Sequence, residues 1–394
     1  MKKLLLSSAA ILAATSAVAQ DTVNIGVLLG FTGPIESLTP AMGSGADLAI
    51  SEINSAGGFM GSTVAAVRAD STCVDSDAAT AAAERLVTSG GIAALMGADC
   101  SGVTGAVLAN VAVPNGILMI SPSATSPALS TAEDNGLFFR TAPSDARQGQ
   151  LLAEQTIARG ITTVAVTYVN NDYGDGLASA FATNFEALGG TVSVSIPHED
   201  GKADYNAEVG SLSATGADAV AVFGYLDQGG KGIVEGVLDK DSFDQIIFGE
   251  AMWGDSIIEA LGADLDGTFG LLPGSLEDFA TAWQAYAEAN GLPGADPFVG
   301  ESYDAAALIL LAMAANGSTS DSTGAAAKVF DVANAPGEKI AAGELGKALE
   351  ILAKGGDIDY VGATNVELVG PGEAGGAYLL QEVSDGAVEV LEGL

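Results

Sequence analysis

The sequence predicts an α/β protein of two lobes, each a doubly wound parallel sheet, on three observations. Short apolar, β-rich runs alternate with helical stretches, the pattern of a parallel sheet with right-handed crossovers. That series occurs twice, on either side of a Pro-marked crossing at Arg140–Ser144. The length, 394 residues, suits two or three domains of ordinary size.

Met1–Ala19 (MKKLLLSSAAILAATSAVA) has two lysines, a short apolar core and Ala17-Val18-Ala19 before Gln20. That is the pattern of a secretory signal, too short in its apolar core for a membrane anchor. No Cys follows the cleavage point to carry a lipid, and no later apolar run is long enough to span a bilayer. An exported, soluble protein without direct membrane insertion is expected.

The first series predicts strands at Val23–Leu29, Val64–Asp70, Ala93–Met96 and Ile117–Ile120, with helices at Ala46–Ser55 and Ala78–Ser89, both closed by glycines. The second predicts strands at Val164–Val169, Thr191–Ile196, Ala219–Phe223 and Ile246–Phe248. Its helices fall at Gly174–Leu188, near Asp204–Ala214 and near Gly230–Leu238. Helices at Leu276–Asn290 and Ser302–Ala315 and a hairpin of Ala377–Val383 with Val388–Leu391 complete the chain.

Composition narrows the partners. The formal charge of −36 becomes −38 once Lys2 and Lys3 leave with the signal, which repels nucleic acid and anionic membranes. The only histidine, His198, leaves no Ser-His-Asp relay or His-rich metal site, and no Gly-x-Ser-x-Gly elbow is present. Gln228–Gly232 lacks the Ser/Thr of a phosphate loop and reads as a helix start. No enzyme activity, metal or cofactor is expected. Cys73 and Cys100, an even count in an exported chain, point to one disulfide, with no Cys-x-x-Cys to suggest redox work.

The stretch Gly97–Pro127 (GADCSGVTGAVLANVAVPNGILMISPSATSP) organises the rest. It puts Ser101 after one strand and Ser123-Ala124-Thr125 after the next, at one carboxyl edge of the sheet, where ligands of such folds sit. Taken singly, each hydroxyl reads as a helix cap or turn residue. Together they suit a carboxylate held by hydroxyls and backbone amides.

Residues 97–127 resemble the ligand-gripping segment of the leucine/isoleucine/valine-binding proteins, type I periplasmic solute-binding proteins of ABC transporters. Asn24–Gly58 (NIGVLLGFTGPIESLTPAMGSGADLAISEINSAGG) resembles that family's first strand, loop and helix, and Asn170–Ala178 (NNDYGDGLA) the opening of its second lobe. The resemblance implies a periplasmic monomer of two lobes joined by three crossings. The expected lobes are 20–142 with 271–372, and 143–270 with 373–394. It implies a bridge between Cys73 and Cys100, stiffening the turn that carries Ser101.

The resemblance also distributes roles. Ser101 and Thr125, with the N–H groups of Ser101, Ser123 and Thr125, would hold a ligand carboxylate. The Ser123 carbonyl and Glu250 would hold an ammonium, and Tyr173 and Tyr225 would close over the ligand. Leu38, with Trp253, would shape the side-chain pocket. The family pattern around its acid is Pro-Glu-Gly or Pro-Asp-Gly, whereas Gly249 and Ala251 flank Glu250 here. With no Lys or Arg beside these segments, a small neutral amino acid, branched-chain or similar, is the expected ligand and an ABC importer permease the partner. The alternative is a sensor of the same fold, taking an amide, urea or aromatic acid and feeding a signalling partner.

Overall fold

The computed structural model describes residues 21–274 and 276–394; the expected leader, 1–19, lies outside them. In the first series, Thr22–Leu29 (β1), Thr63–Asp70 (β2), Ile92–Gly97 (β3), Met119–Ser121 (β4) and Phe138–Arg140 (β5) pair in parallel, in the order β2-β1-β3-β4-β5. The second series repeats the plan with Thr163–Val169 (β6), Thr191–His198 (β7), Ala219–Phe223 (β8), Gln245–Phe248 (β9) and Phe269–Pro273 (β10), ordered β7-β6-β8-β9-β10. Strands covered by helices on both faces are continuous apolar runs. In β8, Ala-Val-Ala-Val-Phe, every residue is buried, whereas edge strand β7 alternates exposed with half-buried.

Four later strands finish the two sheets. Glu338–Ala341 (β11) and Ile358–Gly362 (β12) form a separate two-stranded sheet. Leu368–Val369 (β13) and Glu373–Ala374 (β14) then join the first sheet beside β5. Tyr378–Ser384 (β15) and Ala387–Gly393 (β16) join the second antiparallel beside β10, making seven strands in each. The fold is thus that of two doubly wound lobes.

Two expected boundaries move by a few residues. Residues 271–273, expected in the first lobe, lie in β10, which is held between β9 and β15 of the second sheet. Glu373, expected in the second lobe, pairs with Arg140 of the first. The chain therefore changes sheets at 141–144, after β10 and at 375–377. The helices Asp145–Ala158 and Leu345–Ala353 and the β11–β12 pair were not anticipated from the sequence. Among the described residues no helix is long and apolar enough to cross a membrane.

Cys73 and Cys100 are bonded, tying the loop after β2 to the turn after β3 across 27 residues. Beside them Gly97, at φ +118°, approaches β1 so closely that a Cβ would lie 2.1 Å from the Leu28 carbonyl oxygen. Replacing both cysteines by serine is expected to cost about 3–4 kcal/mol in the chain-entropy account. Urea unfolding checks this, and a loss under about 1 kcal/mol would show that packing alone holds the turn.

Candidate functional site

In an order such as β2-β1-β3, the chain winds outward in both directions from β1, opening a crevice at the carboxyl ends of β1 and β3. The second sheet has the same reversal at β6 and β8, and the two crevices face each other. From the first lobe, Ile35 and Leu38 follow β1, Asp99, Cys100 and Ser101 follow β3, and Ser123 follows β4. From the second, Tyr173 follows β6, Tyr225 follows β8, and Glu250 with Ala251 follows β9. With Phe298 they line a narrow cleft that leaves only about 20 Å³ of open space between the lobes.

Glu250 is the centre of its polar wall, buried at 1% exposure. Its Oε1 accepts from the Thr125 hydroxyl across the cleft at 3.2 Å. Its Oε2 accepts from Gln148 Nε2 at 2.7 Å and the Tyr173 hydroxyl at 3.1 Å. Burial pushes the Glu250 carboxyl up, and these donors pull it back. Asp145 lies beside it, wholly buried, and neither of its carboxylate oxygens has a hydrogen-bond partner. Burial, then the charge of Glu250, pushes the Asp145 carboxyl well above the usual range. The one proton of the Thr125 hydroxyl goes to Glu250, so it cannot serve Asp145 as well.

The nearest guanidinium is committed elsewhere. Buried Arg140 donates through Nη1 to the carbonyls of Ala124 (3.0 Å) and Ser126 (2.9 Å), and through Nη2 to Ser130 Oγ (2.8 Å) and Glu373 Oε2 (2.5 Å). It fixes the Ser123–Ser126 loop from beneath. Ser101 Oγ accepts from the Ser126 N–H at 3.1 Å, joining the two hydroxyl-bearing segments. The turn after β3 is pinned by Asp99, whose carboxylate accepts from the Gly30 N–H at 2.6 Å and Ser71 Oγ at 2.7 Å.

Tyr173 and Tyr225 stack with ring centroids 5.3 Å apart. Asn171 sets both: its carbonyl oxygen caps the Asp172–Ala187 helix at Tyr173 and Gly174, and its Nδ2 donates to the Tyr225 hydroxyl at 3.2 Å. Burial, then the charge of Glu250, raises the Tyr173 hydroxyl well above its ordinary value, so it stays protonated as a donor. Gly249, the departure noted before Glu250, has a local reason. A Cβ there would lie 2.8 Å from the Tyr173 hydroxyl oxygen.

Ser101, Ser123, Tyr173, Tyr225, Glu250 and Leu38 thus line one cavity, and Thr125 meets it through Glu250. Trp253 does not line it: the turn Glu250–Met252 carries its indole away to pack edge-on against Phe248, 5.2 Å between centroids. It faces a neighbouring cavity that shares Leu38. Ala124 is buried behind the wall, its carbonyl taken by Arg140. Ser123 turns its hydroxyl to the Asp99 carbonyl at 3.1 Å, and its N–H makes a long contact, 3.4 Å, with Ser121 Oγ. Asp145, Gln148, Asn171, Ile35 and Phe298 were missed from the sequence. Among the described residues no cluster of His, Cys, Asp and Glu could hold a metal ion.

Comparison with known proteins agrees with this architecture. The family described as periplasmic binding protein matches residues 22–347. The chemotactic signal transduction system substrate-binding protein BasB of Halobacterium salinarum is 29% identical over 95% of this chain and 90% of its own length. A leucine-, isoleucine-, valine-, threonine- and alanine-binding protein of Pseudomonas aeruginosa is 30% identical over 67% of this chain and 70% of its own. Among solved structures, the branched-chain amino acid transporter substrate-binding protein LivJ of Streptococcus pneumoniae, in complex with isoleucine, superposes with a TM-score of 0.77. That match covers 95% of this chain and 99% of LivJ at 22% identity, a likeness of fold. A sheet reversal at the cleft in each lobe, three crossings and a family match over most of the length lead to one assignment: the chain is a type I periplasmic binding protein of the Leu/Ile/Val-binding family.

Proposed function

We propose that this protein captures a small neutral amino acid between its lobes and delivers it to an ABC importer in the periplasm, without catalysing a reaction. The observation that carries the reading is the buried pair Glu250 and Asp145. Two buried carboxylates side by side, Glu250 facing the cavity and Asp145 behind it, with the nearest guanidinium spent on carbonyls and Glu373, call for a cation as partner. An α-ammonium supplies that charge and three donors. The Ser101 hydroxyl, with the N–H groups of Ser101, Ser123 and Thr125, is the donor set offered to the α-carboxylate. Among the described residues no Lys or Arg lines the cavity, so a second carboxylate on the ligand would find no counter-charge.

Binding of this kind works by closure, since contacts from both lobes must offset the loss of the open state. Calorimetric titration of refolded, ligand-stripped protein tests it with L-leucine, 4-methylpentanoate and 3-methylbutylamine. L-leucine is expected to bind one to one, and each analogue on the order of 100-fold more weakly, a charged hydrogen-bonded group being lost. Equal binding of 4-methylpentanoate would overturn the ammonium assignment. The likeness to BasB supports a second reading, in which a signalling partner reads the closed form. Co-purification of the leucine-loaded protein with a membrane receptor in place of a permease would establish it.

A further inference from the structure

Asp227 touches nothing in the ligand cavity, yet it fastens the two lobes to each other at the cleft's mouth. It follows β8, two residues beyond Tyr225, in the second lobe. Its Oδ2 accepts from the Ser37 N–H of the first lobe at 2.9 Å, and its own N–H donates to the Pro34 carbonyl at 3.0 Å. Its Oδ1 accepts from Ser256 Oγ at 2.7 Å, within the second lobe, which fixes the carboxylate's orientation toward Ser37. Beside it Leu226 and Leu38 converge on Gly254, where a Cβ would lie 2.7 Å from one and 3.1 Å from the other.

These contacts join two segments that each carry ligand-facing side chains. The Pro34–Leu38 loop bears Ile35 and Leu38, and the loop after β8 bears Tyr225. We propose that Asp227 is a positioning residue, a latch that holds the closed state by gripping the Pro34–Ser37 loop, and so sets how long a bound ligand is retained. The proposal rests on the closure reading above. The latch uses a carboxylate against neutral groups in a chain of formal charge −36. An ionised acceptor makes the stronger hydrogen bond, and the partner N–H needs no cation. Salt therefore has little to screen.

The test compares wild type, Asp227→Ala and Asp227→Asn by stopped-flow with L-leucine, by thermal melts without ligand, and by small-angle scattering. Asp227→Ala is expected to speed dissociation about tenfold, with association within about twofold, because encounter with an open lobe precedes the latch. Asn can still accept from Ser37 while donating to Ser256 Oγ, so Asp227→Asn is expected to restore slow dissociation. Unchanged association together with rescue by Asn separates a latch from a merely structural residue, and the ligand-free melts check that each variant is folded. Equal dissociation rates in wild type and Asp227→Ala would overturn the latch. Should wild type bind no amino acid, the proposed ligand falls alone, and scattering decides. Asp227→Ala must then give a larger radius of gyration than wild type, and equal radii would overturn the latch.

Discussion

Glu250→Gln is expected to abolish most amino acid binding and, at the same time, to make the ligand-free protein more stable. The substitution keeps the shape and one carbonyl acceptor but removes the charge that would meet an ammonium. Truncating one member of a buried charged pair costs about 2–5 kcal/mol, so affinity should fall on the order of 100-fold or more. In the ligand-free protein the same charge is a burden, since it raises the Asp145 carboxyl further above its ordinary value. Removing it should raise the ligand-free melting temperature at pH 7. The sign follows from linkage. A raised carboxyl contributes fully below its unfolded value and loses that contribution as pH rises through its folded value. The gain should therefore be present at pH 7 and vanish near pH 4. Retained affinity in calorimetry would remove Glu250 from the ligand, and a lower melting temperature at pH 7 would show that the two carboxylates do not oppose each other.

Glu301→Gln is expected to stabilise the protein at neutral and higher pH without effect in acid. Glu301 sits in the first turn of the Val299–Asn316 helix, near the crossings, and is 6% exposed. Burial pushes its carboxyl up to about 8, its own backbone N–H pulls it back, and the charge of Asp304 adds to the rise. Against the ordinary value of 4.5, folding at pH 7 must hold a proton through 2.5 units of pH, at most about 3 kcal/mol. The amide is neutral at every pH and carries no such cost. Urea midpoints at pH 4.5 and 8 should differ between the variants only at the higher pH. An equal shift at both would show that packing, not protonation, governs the site.

The fold was legible because parallel strands buried on both faces write themselves as unbroken apolar runs, as in Ala219–Phe223. The short pieces were not. β13 and β14 have two residues each and carry no period, so the third crossing shifted by a few residues. The second shifted because Phe269–Pro273, expected within a crossing, is strand β10. At the site, residues ending strands at the cleft were readable from position, as with Ser101, Tyr225 and Glu250. Asp145 and Gln148 were not, because Asp-Ala-Arg-Gln reads as a solvated helix start, yet both side chains are wholly buried against the second carboxylate. Only the crossing at 141–144 brings them there. Trp253 failed for the opposite reason: closeness to Glu250 in sequence hid the turn that sends its indole to Phe248.

Arg140 has a mechanical consequence. It is the last residue of β5, one position before the first crossing, and through Glu373 it is tied to the strand before the third. The loop it grips, Ala124–Ser126, is thereby pinned next to the axis about which the lobes turn. Displacement under rotation grows with distance from that axis, and β1 stands three strands away from β5, roughly 14 Å at the usual strand spacing. Thr125 rides near the fulcrum, whereas Pro34–Ser37 rides near the end of the lever. A small angular change that hardly disturbs the polar grip is magnified at the rim, and there a docked membrane protein would have the most movement to sense.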